Sequence, residues 1–197
     1  MALLDTLLAL ARLTLEDPRK GARAVLDLGV PLPARTAGLM LMAVGSALVT
    51  HLGFLLMPAT DDPMLAFMTG SPFRTAALQW VFLAASVLLI FRVGRARGGV
   101  GGLADSLLIV VWLQVLMLGV QIVQLIALIL VPPLAGLINI VGLGLFFWLM
   151  THFLAELHGF TSLGKVLAGI LVTMFAAAFV LVIILALVLG PEALTNV

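Results

Sequence analysis

Five stretches of this chain, roughly 36–58, 73–92, 104–131, 134–156 and 165–189, run for about 20 residues or more with almost nothing but apolar side chains. An α-helix rises about 1.5 Å per residue, so about 20 apolar residues cross a hydrocarbon layer of about 30 Å. Inside lipid the backbone must satisfy its own hydrogen bonds, which a helix does within a single segment. The sequence therefore predicts an all-α integral membrane protein with five transmembrane helices. A soluble alternative is closed by composition. The chain is 63% hydrophobic with a mean hydropathy of +1.30, and ten basic and nine acidic residues cannot cover a water-facing surface on 197 residues. The third run is longer than a span needs and is expected to tilt or protrude. Residues 1–35 read as cytoplasmic or interfacial amphipathic helices, and 36–197 as the five-span bundle.

Charge placement orients the spans. With five crossings, Arg12, Arg19, Lys20, Arg23, Arg35, Arg92, Arg95, Arg97 and Lys165 all fall on one side, and only Arg74 falls on the other, near Asp61 and Asp62. Basic residues in short connections mark the cytoplasmic face. The expected location is the cytoplasmic (inner) membrane, multi-pass, with a cytoplasmic N-terminus and an external C-terminal end carrying Glu192. Any other span count would scatter these cations over both faces. The first 15 residues lack a basic start and a small-residue cleavage site, and they carry Asp5 and Arg12 within the apolar stretch, so they are expected to be retained.

The most charge-dense segment, "LTLEDPRKGARAVLDLG" at 13–29, precedes the first span. Asp17 is a suitable N-cap, Pro18 suits the first helical position and Gly29 suits a helix end. Arg19, Arg23 and Asp27 recur every four residues on one face, with Ala22, Val25 and Leu26 on another. Glu16 and Lys20 are spaced for an i,i+4 pair. This predicts a short helix on the membrane surface, with Arg19, Lys20 and Arg23 toward anionic headgroups or toward a partner protein. Residues 2–13 read as a second such helix, burying Leu3, Leu4, Leu7, Leu8 and Leu10. The connection "MPATDDPMLAFMTGSPF" at 57–73 reads as an interfacial turn beginning at Pro63 and capped by Asp61 or Asp62, and "GRARGGVGGLADS" at 94–106 as a flexible cytoplasmic hinge.

Polar groups in hydrocarbon need partners and are default functional candidates. By helical rise, His51 lies about 22 Å from the cytoplasmic edge, Gln121 about 25 Å, and Asn139 about 22 Å by counting back from the outer edge. Together with Gln114, two turns from Gln121, they define a candidate intramembrane polar site. It would be either a lined pathway between the first, third and fourth spans or interhelical hydrogen bonding that fixes packing. Near the cytoplasmic edge, His152, Glu156 and Lys165 form a second polar cluster. There Glu156 is expected to take a salt bridge from Lys165 or an arginine of 92–97, and His152 to bond Glu156 or a backbone carbonyl. A metal site from His152, Glu156 and His158 is the alternative, although a structural or catalytic site needs well-placed ligands that this spacing alone does not supply. Gly136, Gly142 and Gly144, with Gly38 and Gly45, permit close helix approach, and Trp80, Trp112 and Trp148 read as packing residues.

No H-E-x-x-H, G-x-S-x-G or intramembrane acidic pair is present, and cysteine is absent. The chain therefore shows no protease or lipid-hydrolase motif, and neither a catalytic residue, a cofactor nor a nucleic-acid partner is expected. In architecture, and in the Asp17-Pro18-Arg19 step within "LTLEDPRKGAR", the chain resembles the YIP family of Ypt/Rab-interacting membrane proteins. The resemblance is to its bacterial-type members and extends from about 13 to 189. It implies a five-helix bundle with a cytosolic N-terminus. The long polar N-terminal region and the aromatic-Gly-Pro motif of eukaryotic members are missing, so GTPase binding does not carry over. The functional expectation is a non-enzymatic inner-membrane protein that organises lipid or partner proteins through its cytoplasmic helices, with a homodimer or another membrane protein as the candidate partner. The alternative is a small transporter, channel or lipid-translocating protein using the polar layer between spans one, three and four.

Overall fold

A computed structural model describes residues 2–56 and 70–189. Over that range helix is the only regular element: α1 Ala2–Glu16, α2 Pro18–Asp27, α3 Leu32–Leu55, α4 Pro72–Ala96, α5 Leu103–Leu130, α6 Pro132–His158 and α7 Leu163–Leu189. The expected interfacial turn around Asp61 and Asp62, and Glu192, lie outside the described residues. Helices α3 to α7 are each long and apolar enough to cross a membrane. The chain is an all-α, multi-pass membrane protein.

Helix boundaries follow local chemistry. Proline stands in the first turn of α2, α3, α4 and α6, where its missing N–H has no intrahelical partner to lose. One residue, Val131, joins α5 to α6, so these two must run antiparallel side by side. Helix α6 ends on Gly159 at φ 72°, the left-handed conformation that glycine adopts without strain.

Packing centres on α5, which touches α2, α3, α4 and α6. Gly38 and Gly45 of α3 admit Val111 and Leu118 of α5, and Gly142 of α6 admits Val120. The expected close approach is thus made at these three glycines. A Cβ at Gly136 or Gly144 would meet open space. The core gathers toward the end where α5 begins, around Val25, Val87, Ile109, Trp112, Leu149 and Phe153. Of the tryptophans only Trp112 packs inside; Trp80 and Trp148 are 43% and 40% exposed, so their large rings face the surrounding medium instead. Helix α7 leans mainly on α6, through Val166 and Ile170 against Ala155.

Candidate functional site at the basic end of the bundle

The alternating helix directions bring α2, the start of α3, the 97–102 connection and the α6–α7 connection to one end, which is also where nine of the ten basic residues fall. Asp17 caps α2 by accepting the Lys20 N–H at 3.1 Å, with Pro18 in the first turn. That amide, and then the Lys20 side chain, hold the Asp17 carboxyl below its ordinary carboxylate range. Arg12 pairs with Glu16 and Lys20 with Asp17. These pairs replace the expected Glu16–Lys20 bridge, because the break at Asp17 ends the helical register that the bridge required.

The α1–α2 hairpin closes on Gly21, where a Cβ would lie 2.6 Å from the Thr14 backbone. Thr14 is fully buried, and its Oγ1 accepts the indole N–H of Trp112 at 3.1 Å while donating to the Leu10 carbonyl. One hydroxyl therefore ties the hairpin to the middle of the bundle. Elsewhere on α1, Leu4, Leu7, Leu8 and Leu15 stand exposed, covered by none of the described residues.

Helix α2 does not lie free on a surface. Ala22 and Val25 are buried in the core, and two of the three cations expected to reach toward headgroups, Arg19 and Arg23, bond the bundle, while Lys20 stays exposed beside Asp17. Arg23 donates through Nε to Glu156 at 2.8 Å and through Nη2 to the same carboxylate. Arg19 donates to the Phe160 carbonyl at 3.0 Å. Glu156 is thus satisfied by Arg23 rather than by Lys165 or an arginine of 92–97. A partner 133 residues away in sequence has no local signature. His152 meets the second part of its expectation, with Nδ1 at 2.7 Å from the Trp148 carbonyl and its ring 5.3 Å from the indole. No carboxylate partner for Lys165 is found among the described residues, and its backbone N–H reaches Ser162 Oγ at 3.5 Å.

The glycine-rich connection is a clasp, not a free hinge. His158, 2% exposed, accepts the Gly101 N–H on Nδ1 at 3.3 Å, and its carbonyl accepts the Val100 N–H at 3.3 Å. A Cβ at Gly94 would land on the imidazole; at Gly99 and Gly101 it would come within 2.5 and 2.9 Å of Nδ1. Phe160 stacks on the ring at 5.5 Å. Those glycines leave room for a ring, which the composition of the segment alone could not reveal. His158 consequently points away from the His152–Glu156 pair. Among the described residues no three His, Asp or Glu side chains converge on a metal-sized site.

A further anchor lay hidden in the sequence. Arg35 is 11% exposed at its side chain and bonds the Val30 carbonyl at 2.7 Å, the Ala104 carbonyl at 2.6 Å and Asp105 Oδ1 at 3.0 Å. It pins the start of α3 to the start of α5. Its only advance signal was a cation at the very start of an apolar run.

In the intramembrane layer, Gln121 accepts the Ser46 hydroxyl at 2.9 Å, joining α5 to α3. Gln114 and His51 are half-buried, and His51 Nδ1 has no hydrogen-bond partner among the described residues. Asn139 is on the exposed surface of α6. The layer reduces to an α3–α5 contact, without the α6 member that depth alone assigned to it.

Fold and site together define a helical multi-pass membrane protein with a clamped, cation-rich end. Compared with known proteins, the chain matches no family model, no curated protein and no solved structure.

Proposed function

We propose that this chain is a non-enzymatic inner-membrane protein of the YIP-like type, which organises the lipid of the cytoplasmic leaflet through its N-terminal helices. The observation that carries this reading is the construction of α1. The C-terminal part of α1 is locked to the bundle through Thr14 and Trp112, while Leu4, Leu7, Leu8 and Leu15 are left exposed. A helix held rigidly at the membrane edge with a bare leucine face inserts shallowly and orders the lipid beneath it. The positive-inside distribution supports placing this end in the cytoplasm. The Asp17-Pro18-Arg19 step and the five-span plan support the family resemblance.

The chain has no cysteine, so a single engineered thiol gives an unambiguous reporter. A fluorophore on Leu8→Cys should emit from an apolar environment and be quenched by shallow nitroxide lipid, while one on Ala9→Cys, about 100° around the same helix on the side of Asp5 and Glu16, should not. In vesicles of phosphatidylethanolamine and phosphatidylglycerol, the protein should slow lipid diffusion, and Leu4→Glu/Leu8→Glu should remove most of that effect. Equal emission at residues 8 and 9 would overturn the proposal. The transport reading has less support, since Gln121 is engaged by Ser46 and Asn139 is exposed on α6. Solute flux lost on Gln121→Leu would reverse that order.

A further inference from the structure

Helix α4 presents two contrasting faces along its last four turns. Leu83, Val87, Ile90 and Gly94, spaced at i, i+4, i+7 and i+11, are buried against the bundle. The opposite stripe, Val81, Ala85, Leu88, Arg92 and Arg95, keeps the same spacing and is exposed throughout. It changes from apolar to cationic in about one turn, between Leu88 and Arg92. By helical rise Val81 lies about 16 Å from Arg92, close to half of a hydrocarbon layer of about 30 Å. On a span-forming helix the stripe therefore matches one leaflet in length, with its arginines at the level of the lipid phosphates.

No partner within the protein accounts for these cations. Among the described residues Arg92, Arg95 and Arg97 make no ion pair or side-chain hydrogen bond, whereas Arg12, Lys20, Arg23 and Arg35 each hold a carboxylate. Nor do they cap α4, because the carbonyls of Val93, Gly94 and Arg95 accept the N–H groups of Arg97, Gly98 and Gly99. No acidic residue occurs between 63 and 104, and Asp105, the next along, is paired with Arg35. The clasp on His158 orders the connection that follows, so Arg97 stands on a fixed backbone. We infer that this stripe of α4 binds one anionic phospholipid of the cytoplasmic leaflet, its acyl chain along Val81 and Leu88 and its phosphate at Arg92 and Arg95. Arg97 adds charge at the helix end. Guanidinium groups hold phosphate through paired, charge-assisted N–H bonds, and a zwitterionic headgroup brings a cation of its own that the arginines repel. The inference rests on the cytoplasmic-leaflet reading of the basic end and gives that reading a lipid class and a site, separate from α1.

An indole placed at residue 88 reads the stripe. In Trp80→Phe/Trp148→Phe/Leu88→Trp protein the other remaining indole, Trp112, is buried. Phosphatidylglycerol brominated on its acyl chains should quench the residue-88 indole more than brominated phosphatidylcholine at equal mole fraction. Each arginine should contribute about fivefold to that preference, the equivalent of about 1 kcal/mol. Arg92→Gln/Arg95→Gln should bring the ratio close to one with helix content unchanged, since neither side chain has a bond to lose. Arg95→Gln alone should lower it part of the way. Lys165→Gln removes an equal charge from α7 and should leave the ratio as it was. Equal quenching by the two headgroups, or an equal fall in Lys165→Gln and Arg95→Gln, would overturn the site. So would loss of the preference to inorganic phosphate at constant ionic strength, which would make a soluble anion the ligand. Quenching by neither lipid would mean that a second copy covers the stripe, and would overturn it too. None of these results depends on the residue-8 reporter, so failure of the stripe and failure of the α1 reading are separable.

Discussion

Helix α5 and helix α7 are both apolar enough to span a bilayer, yet they are held in contrasting ways. In their most apolar windows 39% of α5 residues are buried, against 6% in α7. Helix α5 is fixed by polar and steric devices at its first turns: Trp112 on Thr14, Asp105 on Arg35, and Gly38 beneath Val111. Helix α7 has a small apolar contact near its start and otherwise faces outward. Lipid offers apolar surface no gain on leaving it, so hydrophobicity alone does not dock one spanning helix on another. What docks them is close fit and directed hydrogen bonds, and this protein concentrates both at its basic end.

The sharpest way to break that contrast is at the His158 clasp. Gly94→Ala should cost about 2 kcal/mol, because the added methyl overlaps a ring enclosed on several sides. In a His158→Ala background the same change should become stabilising by up to about 1 kcal/mol, since the helix preference of alanine over glycine is then unopposed. Unfolding in detergent by a double-mutant cycle measures both, and equal effects in the two backgrounds would dissolve the clasp.

Next in size is Thr14→Val, which strands the buried Trp112 N–H and should cost about 1–2 kcal/mol. Thr14→Ser should recover most of it, and amide exchange in α1 and α2 is the fitting measurement. Glu156→Gln should cost about 1 kcal/mol, more than a fully exposed pair, because the carboxylate is 18% exposed. The loss should vanish in an Arg23→Gln background and shrink in high salt.

A smaller effect attaches to the Asp17 cap. Its folded carboxyl titrates lower than the unfolded one, so its contribution is complete above the unfolded value and fades as pH falls through about 4 and below. Exchange of the Lys20 amide should quicken over that window, and not in Asp17→Ser, whose hydroxyl keeps the cap uncharged. At the far end of the scale, Phe175→Leu on the exposed surface of α7 should stay within about 0.5 kcal/mol. A large loss there would mean that α7 is packed after all.

Much of this was legible in the residues. Apolar runs of spanning length require helices whatever surrounds them, because an unpaired amide in hydrocarbon is intolerable. Asp17, Pro18 and Gly29 marked the bounds of α2 through chemistry confined to one turn. The cations of the short connections fell to one end because alternation of direction is forced on five crossings. The partners were not legible. Glu156 found Arg23 instead of Lys165, Trp112 found Thr14, and Gly94, Gly99 and Gly101 found one imidazole. Nor could depth along a span tell that Gln121 turns to Ser46 while Asn139 turns outward.

By itself the amino-acid order determined the number of spans, their alternating direction and the gathering of positive charge at one end. These depend on segment length and local capping, which a single chain carries within each segment. Only the tertiary structure decided which side chains meet, that the glycine connection is clasped, and that α7 is mostly exposed. Those outcomes turn on the rotation of each helix about its own axis, and rotation is set by neighbours distant along the chain.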